Sequence, residues 1–275
     1  MNVIAIVGPS GSGKTTLVER LADRLSERGS VGTIKHLDCA PDLDVDGTDT
    51  ARHRAAGVDR TVGVGDGEWF ATGDDLTLRE ALDRLAVECD YAVVEGYSGV
   101  DLPQIALAGG GGEDIRLSAP DADAIDLEEA VAVIEETDPY GCLESLVAEV
   151  KASPREDRAG AIATFTGRVR AKEGPDDDRT EYLEFERYDG VAQERMATLR
   201  EELEARDGVH EVRLHHRTGV IEAGEDIVFV VVLAGHREEA FRTVEDGINR
   251  LKAEVPLFKK EVTVDGTFWA HQHEV

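Results

Sequence analysis

The stretch NVIAIVGPSGSGKT, residues 2–15, decides the fold of the first half of this chain. Residues 2–7 are an apolar run rich in β-branched side chains, the pattern of a strand buried on both faces. From Lys14 onward, Leu17, Leu21 and Leu25 recur at helical spacing, which predicts a helix over 14–28. Between strand and helix, Gly8 to Thr15 matches GxxxxGK[ST]. The spacing has a chemical reason. Glycines let the backbone curl so that successive N–H groups point at phosphate oxygens. Lys14 then brings a positive charge, and Thr15 offers a hydroxyl to Mg²⁺. The candidate nucleotide-binding residues are Gly8, Ser10, Gly11, Ser12, Gly13, Lys14, Thr15 and Thr16.

Working outward, strands are expected at Val31–Ile34 and Tyr91–Val94, and a helix at Leu76–Val87. A four-glycine turn, Gly109 to Gly112, precedes a short strand near Ile115 and a helix over about 126–136. This alternation predicts an open parallel α/β sheet of the P-loop nucleotide-binding kind. Such a site takes an acidic residue from the end of another buried strand, near Mg²⁺. Glu95 and Asp46 are the candidates, beside Thr15.

Thr137-Asp138-Pro139 reads as a junction, giving expected domains of 1–136 and 138–275. Beyond it the order changes. Helices are expected over Cys142–Val150, Ala192–Arg206 and Arg237–Glu254. Strands are expected over Gly160–Thr166, Tyr182–Tyr188, Val209–His215 and Ile227–Leu233, with short strands at the end. That is an α+β order. Pro256 should stop the last helix, so helical spacing alone does not place Lys252 and Lys259 on one face. The acidic stretch Glu173–Asp178 reads as a solvated loop.

Composition limits the function. An apolar fraction of 41% can fill real cores. No apolar run approaches the roughly 18 residues that a membrane span needs. The first residues form a strand and glycine loop rather than a signal peptide, so a cytoplasmic location is expected. The three cysteines, Cys39, Cys89 and Cys142, fit no paired-cysteine spacing and imply neither a disulfide framework nor a zinc site. With 58 acidic and 30 basic residues the net charge is −28, which disfavours nucleic acid and anionic membranes as partners. Acids spread over both halves suit concentrated salt, where screening removes self-repulsion. A halophilic source is the expectation.

In so acidic a chain, cations at strand ends stand out. Arg168 and Arg170 close one strand, His215-His216-Arg217 another, and His236-Arg237 a third. Lys252, Lys259 and Lys260 flank Pro256. Arg and His grip phosphate through charge-assisted hydrogen bonds. A lysine partly buried beside other cations can serve as base or nucleophile. For any one of these residues, an ordinary surface ion pair is the plainer reading, and His215 is equally well a core or edge histidine.

Two resemblances organise these features. Gly32-Thr33-Ile34-Lys35-His36, Leu43-Asp44-Val45-Asp46, Arg54-Ala55-Ala56-Gly57, Val94-Glu95-Gly96-Tyr97 and Leu102-Pro103-Gln104-Ile105 occur in that order after the P-loop. Residues 1–136 therefore resemble the GTP-binding molybdopterin-guanine dinucleotide biosynthesis adaptors of the MobB type. The resemblance implies GTP and Mg²⁺ binding, weak hydrolysis and help in attaching a nucleotide to the molybdenum cofactor. Gln104 stands where that family often has Lys, and no Lys follows Tyr97. In the second half, FTGRVR, HRTG, AGEDIVFV, GHREEAF and LKAEVPLFKKE together resemble the large, catalytic subunit of molybdopterin synthase, the MoaE type.

The second resemblance implies sulfur transfer to cyclic pyranopterin monophosphate. The donor is the C-terminal Gly-Gly thiocarboxylate of a ubiquitin-like small subunit. It implies Lys252 and Lys259 as catalytic residues, and Arg170, His236, Arg237 and Arg168 as substrate-binding residues. A homodimer through this half and no tightly bound cofactor there are also implied. The chain ends His273-Glu274-Val275, so the Gly-Gly carrier is expected to be another polypeptide. The reading from another class is a GTP switch that docks a ubiquitin-like partner without catalysis.

Overall fold

The structure is a computed structural model and describes residues 1–39, 47–172, 174–187, 190–264 and 266–270. The chain divides into two compact units, Met1–Tyr140 and Gly141–Val275.

The first unit runs β1 (Asn2–Val7), α1 (Lys14–Ser26), β2 (Val31–Lys35), α2 (Asp49–Ala55), β3 (Arg60–Val64), β4 (Trp69–Gly73), α3 (Leu78–Glu88), β5 (Tyr91–Glu95), β6 (Gln104–Leu107), β7 (Ile115–Ala119) and α4 (Leu127–Glu135). Five strands form one sheet in the order β2-β5-β1-β6-β7, and every pairing in it is parallel. Alternation along β1 sends Ile4 and Ile6 into a core with Leu17, Leu21, Leu25 and Ile134. It sends Val3, Ala5 and Val7 to the other face, against Leu82. Helices therefore cover both faces, which is why Val3–Val7 and Ala92–Val94 read as unbroken apolar runs. Thr77 and Glu80 form a reciprocal capping box that starts α3. The antiparallel hairpin β3–β4 stands outside this sheet.

The second unit runs α5 (Leu143–Lys151), β8 (Ala161–Arg168), β9 (Thr180–Arg187), α6 (Val191–Glu204), β10 (Val209–His216), β11 (Gly219–Glu222), β12 (Asp226–Ala234), α7 (Arg237–Glu254), β13 (Leu257–Thr263) and β14 (Gly266–Ala270). Two antiparallel sheets result, ordered β10-β12-β8 and β11-β9-β13-β14. One face of β12, with Val228, Val230 and Val232, packs on Leu199 and Leu203 of α6 and on Val244, Ile248 and Leu251 of α7. The other face, with Phe229, Val231 and Leu233, packs on Leu146 and Val150 of α5. The helix α7 stops at Glu254, and Val255 is extended, as the residue before a proline must be.

Candidate functional site

In the first unit the site lies at the carboxyl end of β1, the central strand, where open parallel sheets place their ligands. Gly8, Gly11 and Gly13 all take positive φ, so the loop curls as only glycine allows cheaply. Crowding adds a second reason at Gly8. A Cβ there would lie 2.6 Å from the carbonyl oxygen of Leu107, and one on Gly110 would lie 2.5 Å from Gly8 Cα. The four-glycine turn after β6 thus closes directly onto the loop.

The side chains converge on this cradle. Lys14 Nζ donates to the carbonyls of Gly8 and Pro9, each at 2.8 Å. The Ser12 hydroxyl oxygen is buried and has no hydrogen-bond partner among the described residues. Thr15 Oγ1 donates to Glu95 Oε1 at 2.9 Å. Glu95 ends β5 and is only 9% exposed. Ser10 and Thr16 are exposed at the rim. Asp46 lies outside the described residues.

A glycine cradle at a helix N-terminus, with an orphaned hydroxyl and a lysine held only by carbonyls, fits a polyphosphate. The hard oxygens of Thr15 and Glu95 fit Mg²⁺. No cluster of three or more His, Cys, Asp or Glu placed for a metal ion occurs among the described residues. Sequence reasoning missed Lys35, whose ammonium reaches both Thr15 and Glu95. It also left Gln104 open as a lost anion contact. Gln104 is fully buried and ties its own loop, donating to Val100 O and accepting from Gly112 N.

In the second unit the cations fall into two groups. Asp226, the first residue of β12, pairs with Arg168 at the end of β8, while Ala234 pairs with Ala161 at the other end. Arg168 bonds Asp226 Oδ1 at 2.8 Å and also the Gly224 carbonyl. Arg170 is exposed just beyond it. His236 caps α7 and Arg237 begins it, both exposed, past the far end of β12. With 9 residues in β12, the two groups stand about 26 Å apart along the strand at roughly 3.3 Å per residue.

Helix α7 runs back along the sheet. A Cβ on Gly247 would sit 3.1 Å from Val230 Cγ1, so Lys252 lies toward the Arg168 end. Lys252 is exposed in the last turn. That turn is pinned through Glu254, which accepts from Arg250 Nε at 2.7 Å and from Arg195 of α6. The hydrogen bond from Arg250 holds the Glu254 carboxyl below its ordinary range. Lys259 lies on β13 beside Phe185 of β9 and is half-buried. Its ionic partner is Glu261 at 3.4 Å, the ordinary ion pair that was the plainer reading for any one of these cations. Glu261 in turn accepts from Thr180 Oγ1 at 2.5 Å. The contacts of Glu261 with Thr180 and of Glu254 with Arg195 had no sequence signal, because those partners are 81 and 59 residues away in the chain. His215 is half-buried and stacks on Phe229, and buried His216 lies edge-on to Phe185 and bonds the Arg217 carbonyl.

The cysteines are free thiols, and no described helix is long and apolar enough to cross a membrane. The fold and sites define an α/β unit of the P-loop fold followed by an α+β unit with strand-end cations. Family models match both. The model for molybdopterin guanine dinucleotide synthesis protein B matches residues 3–135, and the MoaE protein model matches 139–254. A Haloferax volcanii protein named "probable molybdopterin synthase" is 52% identical over 98% of this chain and 99% of its own length. Molybdopterin synthase from Staphylococcus aureus aligns at 30% identity and TM-score 0.42, over 49% of this chain and 93% of that one. MobB from Bacillus subtilis aligns at 24% identity and TM-score 0.39, over 50% of this chain and 100% of that one. The chain belongs to the family of molybdenum-cofactor biosynthesis proteins in which a MobB-type unit is fused to a MoaE-type unit.

Proposed function

We propose that the second unit transfers sulfur to cyclic pyranopterin monophosphate and so makes the dithiolene of molybdopterin. The sulfur comes from the Gly-Gly thiocarboxylate of a separate ubiquitin-like small subunit. One observation carries this reading. Helix α7 returns Lys252 toward the strand end from which Arg168 and Arg170 emerge. Cations at one end suit a phosphate ester and a carboxyl-type tail together. Lys252 then positions the thiocarboxylate and moves a proton there, Lys259 assists, and Arg168 and Arg170 hold the substrate phosphate. His236 and Arg237 are too distant to hold the same small ester within one copy. They fit a homodimer in which each site takes its α7 start from the second copy. The name of the Haloferax relative supports the activity.

In this reading the first unit binds GTP with Mg²⁺ and assists formation of the guanine dinucleotide cofactor. Lys14 would leave its carbonyls for the phosphates, Ser12 would gain a partner, and Thr15 and Glu95 would hold the metal. Bound Mg²⁺ supplies neutralisation of phosphate charge. The spread of acidic residues supports work in concentrated salt.

The test is molybdopterin formation from the cyclic monophosphate and a thiocarboxylated small subunit, in multimolar salt. The intact chain should give product. Lys252→Ala should cut the rate roughly 100-fold or more, with small-subunit binding kept. No product from the intact chain, with the partner shown to bind, would leave a docking module without catalysis.

A further inference from the structure

The carboxyl ends of β2 and β5 carry a contact that the P-loop motif does not require. The parallel register sets Lys35 directly beside Glu95. The Lys35 ammonium lies 3.0 Å from Glu95 Oε1 and 3.3 Å from Thr15 Oγ1. Those two oxygens are 2.9 Å apart, so the three atoms close a triangle. Both oxygens are the ones suited to Mg²⁺. Lys14, meanwhile, is turned onto backbone carbonyls. A carboxylate as buried as Glu95 needs a compensating charge. Lys35 supplies it.

We propose that Lys35 is a displaceable counter-ion, its ammonium standing between Thr15 and Glu95 in the place that Mg²⁺ takes when it enters with a nucleotide. The inference rests on the Mg²⁺–nucleotide reading of the P-loop. An ammonium and a divalent ion cannot share the same two oxygens, because like charges at such separations repel strongly in a partly desolvated site. One of them must leave. The Lys35 side chain is 52% exposed against 11% for Glu95, so the lysine is the partner with a route to water. Mg²⁺ therefore competes with a tethered cation, and the site takes the metal readily only when phosphate oxygens supply further ligands.

The experiment uses the full chain and a fluorescent N-methylanthraniloyl GDP, titrated with Mg²⁺ at fixed high potassium chloride. Lys35→Met should lower the Mg²⁺ concentration at half-maximal binding by about three- to tenfold. Affinity at saturating Mg²⁺ should stay within about twofold, and Lys35→Arg should keep a near-wild-type midpoint. An unchanged midpoint in Lys35→Met overturns the proposal. So does a large loss of affinity at saturating Mg²⁺, which would make Lys35 a phosphate ligand instead. Failure of the wild-type chain to bind at any Mg²⁺ level, with circular dichroism showing it folded, would remove the nucleotide reading itself and this inference with it.

Discussion

The glycine cradle of the first unit and the cation set of the second are built from different materials. The cradle is mostly backbone: the positive-φ turns of Gly8, Gly11 and Gly13 at the end of one strand, with Lys14 and Thr15 following at once. One copy of the chain supplies all of it. The cation set is side chains carried by β8, α7 and β13, and β12 holds its two halves apart by about 26 Å. A backbone cradle depends on local conformation. A set of side chains on different elements depends on strand register, and here one copy leaves it divided.

The largest expected effect breaks that division open. Lys252→Ala and His236→Ala should each be nearly inactive alone in sulfur transfer. If each site draws Lys252 from one copy and His236 from another, a mixed dimer keeps one intact site. Unfolding and refolding the two variants together at equal amounts should then restore about a quarter of wild-type activity, since half the dimers are mixed and each has one good site. Separately refolded samples mixed without exchange should stay inactive. No recovery after co-refolding, with dimers shown to form, would return both groups to separate roles.

A middling effect tests the cradle. At Gly8 an added methyl meets the Leu107 carbonyl at 2.6 Å, on a backbone with φ of 151°. Gly8→Ala should weaken nucleotide binding by roughly 10- to 100-fold, the scale of one strained backbone position. Sulfur transfer by the same variant should stay within about twofold of wild type. Calorimetry for the nucleotide and product assay for the sulfur step read the two separately. A parallel fall in both would show that the two sites are coupled, against the expectation that they act apart.

The same contrast decides what was legible in the sequence. The cradle was, because its parts are consecutive and flanked by an apolar strand and a leucine-spaced helix. The parallel sheet was in part, because the runs Val3–Val7 and Ala92–Val94 are apolar, but its buried strand β6, Gln104–Leu107, was not expected. The hairpin β3–β4 was not. Val62, Val64 and Trp69 are 60%, 83% and 67% exposed, so no burial pattern marks it. The short strand β11 was missed as well, since it pairs with β9 across a long gap in sequence. Lys252, Lys259, Arg168, Arg170, His236 and Arg237 stood out as strand-end cations, but the roles assigned to them came only from family resemblance. Nothing in their spacing reveals that the length of β12 separates them. Lys35 was visible as a residue but not as a contact, because its approach to Thr15 depends on β5 lying between β2 and β1.

The smallest expected effect concerns Gln104, where local chemistry and register meet. Its amide donates to Val100 O at 3.2 Å and accepts from Gly112 N at 2.7 Å, with the side chain fully buried. A glutamine carries both a donor and an acceptor, whereas a lysine carries donors alone. Gln104→Lys can therefore keep the Val100 contact but must leave the Gly112 N–H facing an ammonium. Gln104→Ala loses both contacts. Either change should cost about 1–3 kcal/mol locally, loosening the turn that rests on Gly8. Hydrogen exchange at the Gly110–Gly112 amides should rise about tenfold, and nucleotide affinity should fall by about threefold, since Gly110 packs against Gly8 of the cradle. Unchanged protection at those amides would mean that crowding at Gly8 and Gly110, rather than the glutamine, holds the turn in place.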